Sequence, residues 1–76
     1  MKLSYDAKAN IAYLRFHEKR GTVNTLMISD ELNIDIAPDG TLYGIELLNA
    51  NAQLKEDHGR FVVEAAGQRR EIPLAT

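Results

Sequence analysis

Apolar and polar residues alternate with a period of two through much of the chain, which is the mark of strands with one buried face. The clearest stretch runs from Leu32 to Leu48. Leu32, Ile34 and Ile36 fall on one side and Asn33 and Asp35 on the other. Pro38-Asp39-Gly40 then supplies a turn, with proline pre-set at its second position and glycine giving positive φ. On the returning strand Tyr43, Ile45 and Leu47 share one side, and Leu42, Gly44, Glu46 and Leu48 the other. Residues 3–6 and 11–16 read as an earlier hairpin around a polar turn at 6–10. Ala12, Leu14 and Phe16 lie on one face of its second strand, and Ile11, Tyr13 and Arg15 on the other. A charged loop at 17–21 leads to a β-branched strand at 22–28, and Ser29-Asp30-Glu31 is a tight polar break. Residues 49–57 hold good helix formers with Asn49 or Asn51 as N-cap. Residues 61–66 read as a sixth strand. Residues 69–74 are a short return that Pro73 confines to an edge. The pattern predicts an α+β, mostly β fold: an antiparallel meander of five or six strands with one short helix near residues 50–57.

Seventy-six residues make one domain, here residues 1–76, and a chain this short buries only ~60% of the surface it exposes when unfolded. Small folds add disulfides, a metal or a second subunit. Cysteine is absent and histidine occurs only at His17 and His58, so no cofactor or metal is expected and a homodimer is. Strands two and five carry large apolar groups on both faces, which also calls for a partner. The net charge of −2 is unevenly spread: residues 29–57 carry −6, residues 1–28 carry +3, and the tail 58–76 carries +1. The acidic centre suits a basic protein partner. The N-terminus lacks the apolar run of a secretory signal, and no stretch approaches the ~20 apolar residues of a membrane span. A cytoplasmic protein without membrane contact is the expectation.

Tyr5-Asp6, Ala9-Asn10, Ala12-Tyr13-Leu14, Asp35, Gly40, Leu42 and the run from Gly44 to Ala50 together resemble domain-of-unknown-function family 2283, small prokaryotic β-rich proteins. The resemblance covers residues 3–54. The segment Gly44-Ile45-Glu46-Leu47-Leu48-Asn49-Ala50 is its most specific part, an acid is common where this chain has Asn10, and the tail 58–76 lies outside it. The resemblance brings no catalytic residues. Some members are encoded beside small toxin-like proteins, which implies an antitoxin-like role as the partner of a small toxin.

Few residues suggest chemistry. Asp35 and Glu46 sit on the two arms of the central hairpin and could share a cation or a proton, but further ligands are lacking. Read without ligands, they form an outward polar row. Asp35, Glu46 and His17 are the only candidates for an enzymatic role, and none forms a nucleophilic arrangement. Arg60, Arg69 and Arg70 make a basic corner near Gly59 and Gly67. The five aromatics lie at strand positions, and with the net negative charge this makes nucleic acid an unlikely partner. A non-enzymatic protein-interaction module is the expected function, with Tyr13, Tyr43, Asp35 and Glu46 as its surface. The alternative is a small-molecule-binding domain with a pocket at a dimer seam. Gly44, in mid-strand, implies a bulge or an aromatic ring that leaves no room for a Cβ.

Overall fold

Four hairpins organise the described residues, three of them in one sheet. The computed structural model describes residues 1–18 and 21–74, so Lys19 and Arg20 of the loop expected at 17–21 lie outside the described residues. β1 (Lys2–Asp6) and β2 (Ile11–Arg15) pair around a turn in which Asp6 Oδ1 accepts the N–H groups of Lys8 and Ala9. β3 (Asn24–Ser29) and β4 (Leu32–Ile36) pair around Asp30-Glu31, where Ser29 Oγ accepts the Glu31 N–H. β4 joins β5 (Leu42–Leu48) through the Pro38-Asp39-Gly40 turn. Gly40 has φ +92° and its N–H donates to Ala37 O at 2.9 Å. Thr41 N–H donates to Asp39 Oδ1 at 2.9 Å, and the hydrogen bonds from Thr41 hold the Asp39 carboxyl below its usual range.

The five strands form one antiparallel sheet in the order β1-β2-β5-β4-β3. β3, β4 and β5 follow one another as in a meander. The β1–β2 hairpin then joins the free edge of β5, so β2 pairs with β5 and not with β3. That pairing is non-local, and local turn signals carry no information about it. The class is mostly β and antiparallel, as the alternation implied, with seven strands among the described residues. β6 (Arg60–Ala65) and β7 (Gln68–Pro73) form a separate two-stranded sheet. The helix expected near 50–57 is shorter: α1 spans Ala50–Gln53, and a single 3-10 turn covers Glu56–Gly59. Asp57 and His58 there have positive φ, so the helix cannot continue.

Cross-strand register assigns the two faces of the large sheet. One carries Leu3, Tyr5, Leu14, Ile45, Leu47, Leu32, Ile34 and Leu26 and is apolar. The other carries Lys2, Ser4, Tyr13, Arg15, Glu46, Asn33, Asp35 and Thr25 and is largely polar, with Ile11 and Leu48 at one end. A register shift between Asp35 and Ile36 leaves Tyr43 as an extra residue on β5, and the Phe16 and His17 N–H groups both donate to its carbonyl. The bulge also brings Leu42 opposite Ile36, on the apolar side, where simple alternation had placed it with Gly44.

The β6–β7 turn contains Ala66 and Gly67, both at positive φ (52° and 76°), as a two-residue hairpin turn requires. Alanine in that conformation is strained by roughly 1 kcal/mol. Ala66→Asn is therefore expected to raise stability by about 0.5–1 kcal/mol, read as a higher urea midpoint at unchanged slope.

Candidate functional site

The polar face is organised by one side chain lying across a neighbouring strand. Tyr13, on β2, extends over Gly44 of β5 and donates from its hydroxyl to Asp35 Oδ2 on β4 at 2.8 Å. Thr25 Oγ1, on β3, donates to Asp35 Oδ1 at 2.7 Å. One carboxylate on β4 thus ties β2 and β3 to it, with the phenol lying across β5. A Cβ built on Gly44 would lie 2.7 Å from Tyr13 Cε1 and closer still to its Cζ and hydroxyl oxygen, so only glycine leaves room for the ring. Gly44 does not have positive φ, so the ring explains the glycine and the bulge is carried by the next residue, Tyr43. One pair further along, Asn33 Nδ2 donates to Glu46 Oε1 at 3.0 Å.

Asp35 is only 8% exposed, which corrects the reading of an outward, solvated row. The strand face was read correctly from alternation, but the Tyr13 ring covers it. Burial, the hydrogen bond to Asp35 and the negative charges of Asp35 and Glu46 together push the Tyr13 phenol up to about 12, against a small opposing effect of Arg15. Because the folded value lies above the unfolded value near 10, this contribution is complete below pH ~10 and is lost between pH ~10 and ~12, at up to about 1.4 kcal/mol per pH unit. The stability difference between the wild-type protein and Tyr13→Phe should accordingly narrow over that window in urea titrations.

The four residues expected to form one surface do not stay together. Tyr13, Asp35 and Glu46 share the polar face, whereas Tyr43 starts from the opposite side of the pleat beside Gly44. Tyr43 is 9% exposed, and its ring meets His17 edge-on with centroids 6.5 Å apart. His17 Nδ1 lies 3.1 Å from Leu42 O. Among the described residues no group of three His, Cys, Asp or Glu side chains could hold a metal ion. No helix there is long and apolar enough to cross a membrane.

A second cluster links the first hairpin to the end of β5. Asn10 has φ 61°, and its carbonyl and Oδ1 accept the N–H groups of Ala50 (3.1 Å) and Asn51 (2.7 Å), the first turn of α1. Asn49, the N-cap by position, makes no side-chain cap, so the cap comes from Asn10 on a different hairpin. Tyr5 Oη donates to Asn51 Oδ1 at 2.6 Å, and Asn51 Nδ2 donates to Ala7 O at 3.1 Å. Ala50 beneath them is fully buried. The model of the family "Protein of unknown function (DUF2283)" matches residues 2–51. The chain belongs to the DUF2283 family. Its match ends at α1 and leaves β6 and β7 outside. Of the DUF2283 residues that stood out in the sequence, Tyr5, Asn10, Tyr13, Asp35, Gly44 and Ala50 fall into the two lattices just described, and Asp6 shapes the β1–β2 turn. An acid at position 10, common in DUF2283, would accept the same Asn51 N–H. No curated protein and no solved structure matches the chain.

The apolar face is the part that the fold leaves open. Among the described residues the buried apolar side chains are Ala12, Ala37, Tyr43 and Ala50, and no leucine, isoleucine, valine or phenylalanine is buried. At the β1–β2 end, Phe61, Ile72 and Leu74 of the C-terminal segment line a groove of about 350 Å³ with Leu3, Tyr5 and Leu14. Toward β3 the face becomes more exposed, and Leu26 at the edge is 46% exposed. Alternation marks the apolar rows, but their lack of cover is a tertiary fact that the sequence does not carry.

Proposed function

We propose that this protein is a non-enzymatic interaction module that works as a homodimer through the apolar face of its five-stranded sheet. The observation that carries this is that, among the described residues, no large aliphatic side chain is buried in a fold whose sheet has a continuous apolar side. The leucines and isoleucines of that side are half-buried, so part of the hydrophobic driving force is left for a partner, and a second copy is the nearest source of matching surface. The polar face supports the same reading. Its carboxylates Asp35 and Glu46 are engaged by neighbouring hydroxyl and amide groups and act as structural ties across strands. A charge placed on the apolar face tests the proposal: Ile45→Asp should weaken self-association at least tenfold in sedimentation while the β-sheet circular dichroism is retained. Unchanged association would contradict the proposal.

The further partner that fits is a small basic protein, in the manner of an antitoxin and its toxin. Five of the seven acids between residues 29 and 57, Asp30, Glu31, Asp39, Glu56 and Asp57, are exposed and lie in turns, where a basic surface can meet them. Neutralisation of a toxin encoded next to this gene, lost when Asp30 and Glu31 are changed to lysine, tests that partner. A small apolar ligand at the dimer seam is a second reading, favoured by the groove between the sheet and the C-terminal segment. A thermal-shift screen without hits would remove it.

A further inference from the structure

We propose that the β6–β7 hairpin is an exchange arm, whose apolar side seats on the uncovered β5–β4–β3 half of a second copy's sheet. This rests on the homodimer reading and names the contact that makes it. Register divides the hairpin into two sides. Arg60, Glu64, Arg69 and Glu71 share one side, with ion pairs from Arg60 and Arg69 to Glu71 at 3.1 and 2.9 Å. Phe61, Val63, Ala65 and Ile72 share the other with Gln68 and Arg70, while Val62 falls on the charged side. That apolar side is poorly used within its own chain. Ile72 remains 50% and Val63 41% exposed, and a groove separates the hairpin from Leu3 and Leu14.

The second half of the contact is the β5–β4–β3 part of the apolar face, where Ile45 and Ile34 are half-buried and Leu26 is 46% exposed. The molecule is a slab of 36 × 32 × 18 Å, so half of its broad face offers on the order of 500 Å², less than the ~800 Å² per partner of a standard interface. Reciprocal arms close that gap, because a two-fold dimer buries each hairpin once and each open half-sheet once. Charge agrees: the open half ends at the exposed Asp30-Glu31 turn, and the hairpin brings Arg70 on its apolar side, opposite Val63. The tether suits a swing. Asp57, His58 and Gly59 have successive positive φ values of 56°, 59° and 73°, a local path that a small change in dihedral angles redirects.

The absence of native cysteine makes the test direct. Full-length chains carrying only Ile72→Cys are mixed with chains carrying only Ile34→Cys and treated with a short bismaleimide. Val63→Cys with Leu26→Cys serves as a second pair, and Ser4→Cys, on the exposed polar face, as the control partner for Ile72→Cys. Folding is checked by circular dichroism. The expected result is a crosslinked heterodimer formed at least tenfold faster in either test pair than in the control. Crosslinking at the control rate in both test pairs, with dimers present by mass, overturns the arm and leaves the homodimer standing. A monomeric mass for the unmodified protein overturns both.

Discussion

Gly44→Val is expected to lower stability by roughly 1–3 kcal/mol, although valine is the better strand former. The new side chain needs the space held by the Tyr13 ring, and nothing else crowds that position as closely. The ring can swing away, but its hydroxyl then leaves Asp35, a carboxylate only 8% exposed that loses one of its hydroxyl donors. The loss of a hydrogen bond to a charged, buried acceptor, about 1.5–3 kcal/mol, outweighs the gain of up to about 1 kcal/mol from strand propensity. A double-mutant cycle isolates the cause. In a Tyr13→Ala background the glycine has no ring to admit, so Gly44→Ala should be neutral or stabilising there while it destabilises the wild-type protein. Equal effects in the two backgrounds, measured by urea denaturation, would show that the ring is not the reason for the glycine.

Asn10→Ala is expected to cost about 2–3 kcal/mol. Two contributions of about 1 kcal/mol or more add: the lost cap on the Asn51 N–H, and the strain of alanine at φ 61°. Asn10→Asp should cost less than about 1 kcal/mol, because a carboxylate oxygen accepts the same N–H and aspartate tolerates the left-handed region. Asn10→Gly separates the two contributions, since it relieves the strain and loses only the cap. The order Asp, Gly, Ala of increasing loss in denaturation midpoints checks this account. An alanine variant as stable as the aspartate variant would remove the cap from it.

Much of the sheet was legible along the chain. Alternation located β4 and β5 and gave the faces of Asn33, Asp35, Ile45 and Glu46, because a strand with one buried side repeats every two residues. The Pro38-Asp39-Gly40 turn was legible from its chemistry, and Gly44 announced a constraint whose cause included a tyrosine ring. What was hidden depends on contacts between distant parts of the chain. The pairing of β2 with β5 brings Tyr13 beside Gly44, and only then does Asp35 become buried. Asn10 caps a helix about 40 residues further on, and its own neighbourhood shows only a turn residue. The bulge at Tyr43 moves Leu42 to the apolar side, whereas Tyr43 already fell, by alternation, on the side away from Glu46, so the expected four-residue surface divides between two faces. The helix expected over eight residues stops at Gln53, whereas the C-terminal strand and its short return were legible and form the β6–β7 hairpin outside the family match.

The central claim is that the apolar face is covered by a second copy. Sedimentation equilibrium of the unmodified full-length chain at about 50 μM, well above the range in which a micromolar dimer dissociates, tests it most directly. The account predicts twice the 8.5 kDa chain mass, falling toward one chain on dilution or on Ile45→Asp substitution. A mass of 8.5 kDa at that concentration would contradict it.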